Sequence, residues 1–254
     1  MLDLLNSCSL DIHYDKESNA LLYSENIRCN RCQRVTLENL SPILLNKSLK
    51  YPEQVYEEYQ GVHYQQDQTL VSYDVSYDLI NLPFGLLGIE YVKTHVYFSP
   101  IFSQEDKVSC IVEILFGNLF IILQKNAKKS EFVSYTQVDS GFLVKLKAGD
   151  RFIIPEGYLY TFINTGNTNV LFSRVYKKYS IIDYAILKKE RGLAYYCIRK
   201  NGRQEIVQNP YYKNTPCIIE IAGENSLIDS DIQINLSLYE SLKYELDFFL
   251  TKLV

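Results

Sequence analysis

The sequence predicts an all-β fold: an antiparallel sandwich or barrel with short helices and one helix near the C-terminal end. Three observations carry the prediction. The chain of 254 residues holds 22 tyrosines and 12 phenylalanines but no tryptophan, and tyrosine and β-branched residues suit a pleated, half-buried surface. Its apolar residues fall in short runs between turn residues, the mark of many short strands. Asn201-Gly202 joins two such runs with the dipeptide a two-residue hairpin turn prefers.

The elements follow in order. LVSYDVSY (70–77) alternates, EYVKTHVYF (90–98) is strand-like, and SGFLVKLKAGDRFIIPEG (140–157) reads as strand, turn, strand. NVLFSRVY (169–176) and LAYYCIRKNGRQEIVQ (193–208) continue the series, and TPCIIEIAGE (215–224) predicts one further strand. KNAKK (125–129) reads as a solvated loop. In NLSLYESLKYELDFFLTKLV (235–254) the apolar residues Leu238, Leu242, Leu246, Phe249, Leu250 and Leu253 recur at helical spacing. Asn235 or Ser237 caps this helix, and Ser237 with Glu240 makes a capping box. Its apolar face either packs on the chain's own barrel or serves self-association or a partner.

Composition narrows the function classes. The 26 basic and 30 acidic residues leave a net charge of -4 with no dense basic stripe, which argues against nucleic acid as a partner. Apolar runs such as IVEILFGNLFIIL (111–123) are interrupted by Glu113, Gly117 and Asn118 and are too short for a membrane span. The start, MLDLLNSCSLDIHYDK, lacks the basic and apolar regions of a signal peptide. A cytoplasmic protein is the expectation, with its six cysteines reduced. A single CxxC, Cys29 to Cys32, cannot supply four zinc ligands, and its polar flanks do not suit a redox helix.

One stretch carries more specific information. In GDRFIIPEGYLYTFIN (149–164), the spacing of Gly149, Pro155, Gly157 and Asn164 resembles the second motif of the cupins, jelly-roll β-barrels. In metal-binding cupins a histidine stands where this chain has Tyr160. Over roughly residues 10–213 the chain resembles the cupin-type, archaeal kind of glucose-6-phosphate isomerase. The segments are VYEEY (55–59), LKAGDRFIIPEGYLYTFINTG (146–166) and IDYAILKKERGLAYYCIRKNGRQEIVQNPYY (182–212). On this reading residues 1–216 form the cupin domain and 217–254 a C-terminal extension.

The resemblance implies interconversion of glucose 6-phosphate and fructose 6-phosphate, a step of glycolysis and gluconeogenesis, by a homodimer. In the family a divalent metal (iron, manganese or zinc), held by three histidines and a glutamate, stabilises the charge on the sugar oxygens. The glutamate is the usual candidate for the base. Carried over residue by residue, the glutamate matches Glu113, as base and metal ligand. The two-histidine strand motif falls in KTHVYFSPIF (93–102): one register puts Tyr97 and Ser99 at the ligand positions, another His95 and Tyr97, a third Pro100 and Phe102. The first two share one strand face. Of the three histidines, His13, His63 and His95, His95 alone is a metal candidate. With Glu113 it makes an incomplete set, and a phenol must lose a proton near pKa ~10 to ligate. The expectation is therefore no resident metal.

Tyr59, Tyr97, Tyr160 and Tyr184 are the expected sugar contacts, with Lys93, Arg151 and Arg174 as candidates for a phosphate. Three readings stay open: an isomerase using Glu113 and tyrosine hydroxyls, a metal-free cupin that binds a sugar or sugar phosphate, and an interaction protein. In the last, Phe98, Phe102 or Phe120 fills the barrel and the C-terminal helix makes the contacts.

Overall fold

The computed structural model describes residues 1–67, 75–98, 108–129, 132–177, 184–222 and 236–253. Eighteen strands are assigned among the described residues. In chain order they are β1 (Leu2–Asp3), β2 (Ile12–Asp15), β3 (Ala20–Tyr23), β4 (Ile27–Thr36), β5 (Gln54–Tyr64), β6 (Val75–Leu82), β7 (Leu86–Leu87), β8 (Glu90–Tyr91) and β9 (Tyr97–Phe98). There follow β10 (Val108–Phe116), β11 (Asn118–Lys129), β12 (Phe132–Lys147), β13 (Arg151–Pro155), β14 (Tyr158–Ile163), β15 (Val170–Lys177), β16 (Tyr195–Lys200), β17 (Arg203–Gln208) and β18 (Ile219–Ala222).

Two sheets make the barrel. A six-stranded sheet in the order β13-β10-β15-β6-β5-β4 shares its inner core with a five-stranded sheet, β18-β12-β11-β14-β9. Almost every pairing is antiparallel; β18 alone among the described strands runs parallel to its neighbour, from Phe142↔Ile219 to Lys145↔Ala222. A four-stranded sheet, β17-β16-β8-β7, joins the same core through Leu87, Tyr195 and Cys197.

Local sequence explains the turns. Gly117 sits at φ +85, where an added Cβ would meet the Asn169 carbonyl at 2.7 Å, so only glycine fits between β10 and β11. Asn201 and Gly202 both have positive φ, 50 and 76, as a type I′ hairpin requires.

The six-stranded sheet is buried on both faces along its central strands β10, β15 and β6, while its edge strand β4 is largely exposed. Its inner face lines the barrel, with Ile80, Leu82, Cys110, Val112, Ile114, Phe172 and their neighbours. Its outer face carries Tyr77, Leu79, Ile111, Leu115, Leu171 and Val175, packed in a second core. That core is completed by N-terminal residues Leu4, Leu10, Ile12 and Tyr14 and by Leu238, Tyr239, Leu242, Phe249 and Leu253.

Two expectations are corrected here. KNAKK is not a loop: Lys125 to Lys129 continue β11, paired from Lys125↔Ser140 to Lys129↔Phe132. The C-terminal helix is two short helices, Leu238–Tyr244 and Leu246–Lys252. They part at Glu245, whose φ of -120 and ψ of 34 leave the helical region.

Candidate functional site

Strand alternation decides which side chains reach the barrel interior. On β14 and β9, Tyr160 and Tyr97 are register partners, and their rings stack at 5.5 Å between centroids. Phe162 packs on both, 5.7 Å from Tyr97 and 5.6 Å from Tyr160, and lies 4.7 Å from Phe172. The Tyr56 hydroxyl lies 3.5 Å from that of Tyr97 and accepts from the His95 backbone N–H at 3.3 Å. The His95 and Tyr56 rings meet edge to face.

Arg174 stands among them, on the inward face of β15 and 3% exposed. It donates to the Glu58 carboxylate, and its Nη2 lies 3.2 Å from Asp78 Oδ2. The guanidinium carbon is 4.3 Å from the ring centroids of both Tyr97 and Tyr176, close enough for cation–π attraction. Asp78 also accepts from the Gly61 N–H at 3.0 Å and from the Ser76 hydroxyl. Burial alone works against the Arg174 charge, but Glu58, the two phenols and Asp78 outweigh it, and its pKa rises further. Burial pushes Glu58 up, against the pull of Arg174.

The structure brings His95, Tyr97 and Tyr160 together, but not Glu113 or Tyr59. Cys110, Val112 and Ile114 face inward, so Ile111, Glu113 and Leu115 face outward. There Glu113 accepts from Arg151 Nε at 2.7 Å, Arg151 Nη2 at 2.5 Å and the Leu238 N–H at 2.9 Å. This pair lies beside an open cleft of about 450 Å³ bordered by Asn6, Ser7, Gly149 and Ser237. Placing Glu113 with His95 on one metal is thus corrected: the two lie on opposite faces of a sheet. Tyr59 is likewise outward, bonded to Glu57 at 2.6 Å and edge-on to Tyr23.

Tyr184 opens the helix Tyr184–Lys189; its side chain lies outside the described residues, as do Ser99, Pro100, Phe102 and Asp183. Phe98 and Phe120 lie partly buried against the barrel core, and the filling rings are Phe162 and Phe172. The three candidate phosphate cations are each taken by a buried carboxylate. Lys93 pairs with Glu90 and donates to the Ile43 carbonyl at 2.9 Å, Arg151 pairs with Glu113, and Arg174 with Glu58 and Asp78.

The interior donors do not fit a resident divalent metal. His95 offers one imidazole, neutral because burial and then Arg174 lower its pKa to about 4. Burial raises the Tyr160 and Tyr97 phenols well above their ordinary value and the Cys110 thiol to about 12. A ligand must be deprotonated to bind, and a fixed guanidinium opposes a second cation beside it. Among the described residues no group of three or more His, Cys, Asp or Glu is placed to hold a metal.

The sequence pattern of the family described as glucose-6-phosphate isomerase matches residues 43–214, more than half of the chain. The chain belongs to that family. Its fold is the cupin barrel. This glucose-6-phosphate isomerase family member matches no curated protein. Among solved structures it is similar to the vicilin of Solanum melongena (19% identity, TM-score 0.34, 51% of this chain and 30% of that one). It is also similar to the oxalate decarboxylase of Bacillus subtilis (10%, 0.32, 51% and 27%) and to a Drosophila melanogaster CENP-C cupin domain (10%, 0.30, 47% and 67%). The chain spans less than a third of the vicilin it matches.

Proposed function

We propose that this family member does not interconvert sugar phosphates and serves as a cupin scaffold. The observation that carries the reading is the environment of Arg174, which is paired with Glu58 and Asp78 and sandwiched by Tyr97 and Tyr176. An isomerase needs one group to move a proton between neighbouring carbons and another to stabilise the oxyanion that forms. Here Glu58 and Asp78 engage Arg174, and Glu90 and Glu113 engage Lys93 and Arg151. A sugar phosphate would have to displace an internal carboxylate to gain any of these three cations.

A second reading rests on Glu58. It faces inward, its pKa is raised by burial, and it lies against a cation that could stabilise an enediolate. Released from Arg174, Glu58 would be the base of a metal-free isomerase, with Tyr97 and Tyr160 as hydrogen-bond donors.

The experiment is a coupled assay of glucose 6-phosphate conversion with and without manganese, iron(II) or zinc, run beside thermal shift with both sugar phosphates. No turnover and no shift are the expected results. Turnover abolished by Glu58→Gln would establish the second reading, and turnover needing a metal would overturn both. The homodimer and the cytoplasmic location rest on family resemblance and on sequence; sedimentation and fractionation test them.

A further inference from the structure

We propose that the Arg174 guanidinium is the resident cation of this barrel, standing in place of a bound metal, so that the fold is complete without one. The argument starts from what the buried carboxylates need. Glu58 and Asp78 are 4% and 0% exposed, and buried charges must be paired or coordinate a metal. Both meet Arg174, which reaches them from a third strand: Glu58 is on β5, Asp78 on β6 and Arg174 on β15, adjacent in the order β15-β6-β5. The register sets Arg174 directly opposite Asp78.

The same guanidinium lies beside the inward side chains that the resemblance marks around a metal, Glu113 being the one that faces outward. Tyr97 covers one of its flanks and stacks on Tyr160, and Tyr56 joins Tyr97 to the backbone of His95. Arginine suits this place because its planar fork binds carboxylates and its faces stack on aromatic rings, and it keeps its proton when buried. A metal would ask the phenols to ionise. A guanidinium asks only for their ring faces.

The inference does not depend on whether the chain turns over sugar phosphate, because the test reads folding. The full chain, stripped with a chelator, is melted alone and with manganese, iron(II) or zinc, and its metal content is measured. The expected result is one unchanged melting temperature and less than one metal per chain. A stoichiometric metal that raises the melting temperature overturns the proposal whatever the assay shows.

Two variants test the charge cluster directly. Arg174→Met leaves two uncompensated buried carboxylates and lowers the melting temperature or prevents folding. Arg174→Met combined with Glu58→Gln and Asp78→Asn removes the uncompensated charge and recovers most of the loss. No loss in the single variant, or no recovery in the triple, overturns the role of Arg174 as the barrel's cation.

Discussion

The Glu113 carboxylate accepts a hydrogen bond from the backbone N–H of Leu238, 2.9 Å away and 125 positions further along the chain. With Arg151, which also donates to the Leu236 carbonyl, it fastens the start of the C-terminal helices to the outside of the barrel. The capping box of Ser237 and Glu240 satisfies other amides of the same helix start.

Glu113→Gln is therefore a stability variant. It removes the carboxylate charge that Arg151 Nε and Nη2 meet in a mostly buried place, where breaking such a pair costs ~3–5 kcal/mol. Limited proteolysis of the variant is expected to cut first between 236 and 253, with a lowered melting temperature. An unchanged melting temperature and cleavage pattern would refute the fastening role.

Tyr239 makes a second attachment. Its hydroxyl donates to Asp67 at 2.8 Å and accepts from the Tyr64 N–H at 3.0 Å, while Lys243 completes the Asp67 pair. Tyr239→Phe keeps the ring against Tyr77 but takes the acceptor from the part-buried Tyr64 amide and one donor from Asp67, which keeps Lys243, at a cost of about 1–3 kcal/mol. Urea denaturation at neutral pH measures it, and a loss below the error of that fit would contradict the assignment.

His95 gives the acid side of stability a definite sign. Its folded pKa of about 4 lies below the ordinary imidazole value. Above pH ~6.5 neither state takes a proton. Between that value and about 4 the unfolded chain binds a proton the folded one refuses, so stability falls with pH and the loss is complete below. The full effect is at most ~3 kcal/mol, reduced by the partial exposure of the ring. Glu58 and Glu113, raised by burial, act in the opposite sense. Subtracting the urea midpoints of His95→Asn from those of the parent isolates the imidazole, and a flat difference between pH 4 and 6.5 would dismiss it.

The cysteines separate by accessibility. Cys32 and Cys217 are exposed, Cys29 is intermediate, and Cys8, Cys110 and Cys197 are buried. Burial raises the last three thiols to about 12. A thiol reagent is expected to find Cys32 and Cys217 quickly, Cys29 more slowly and the rest only on unfolding. Cys29 and Cys32 both lie on β4, where three residues span ~10 Å, beyond the reach of a disulfide. A Cys29–Cys32 disulfide detected by mass spectrometry of the native chain would contradict this geometry.

Local signals were readable. Ser237 and Glu240 make the capping box their spacing indicates, and Asn201-Gly202 turns the hairpin its dipeptide favours, whereas Tyr97 meets Tyr160 only through the pairing of β9 with β14. The match of Glu113 to the family's glutamate does not fix which way its strand faces, and the register of β10 against β15 shifts between Ile114 and Phe116. The Arg174 cluster has no local signature at all, since Glu58 and Asp78 lie 116 and 96 positions away. The break at Glu245 is hidden because the apolar spacing runs through it. KNAKK became strand because β12 supplies partners that its own polarity gives no sign of.

The second core has a consequence for the order in which the protein is made. Ile111, Leu115, Leu171 and Val175 on the outer sheet face share their cover with Leu238, Tyr239, Leu242 and Phe249, which leave the ribosome after every strand of that sheet. During synthesis the half-finished barrel carries an uncovered apolar flank. Such a flank is a site for aggregation or for chaperone capture until the last helices arrive.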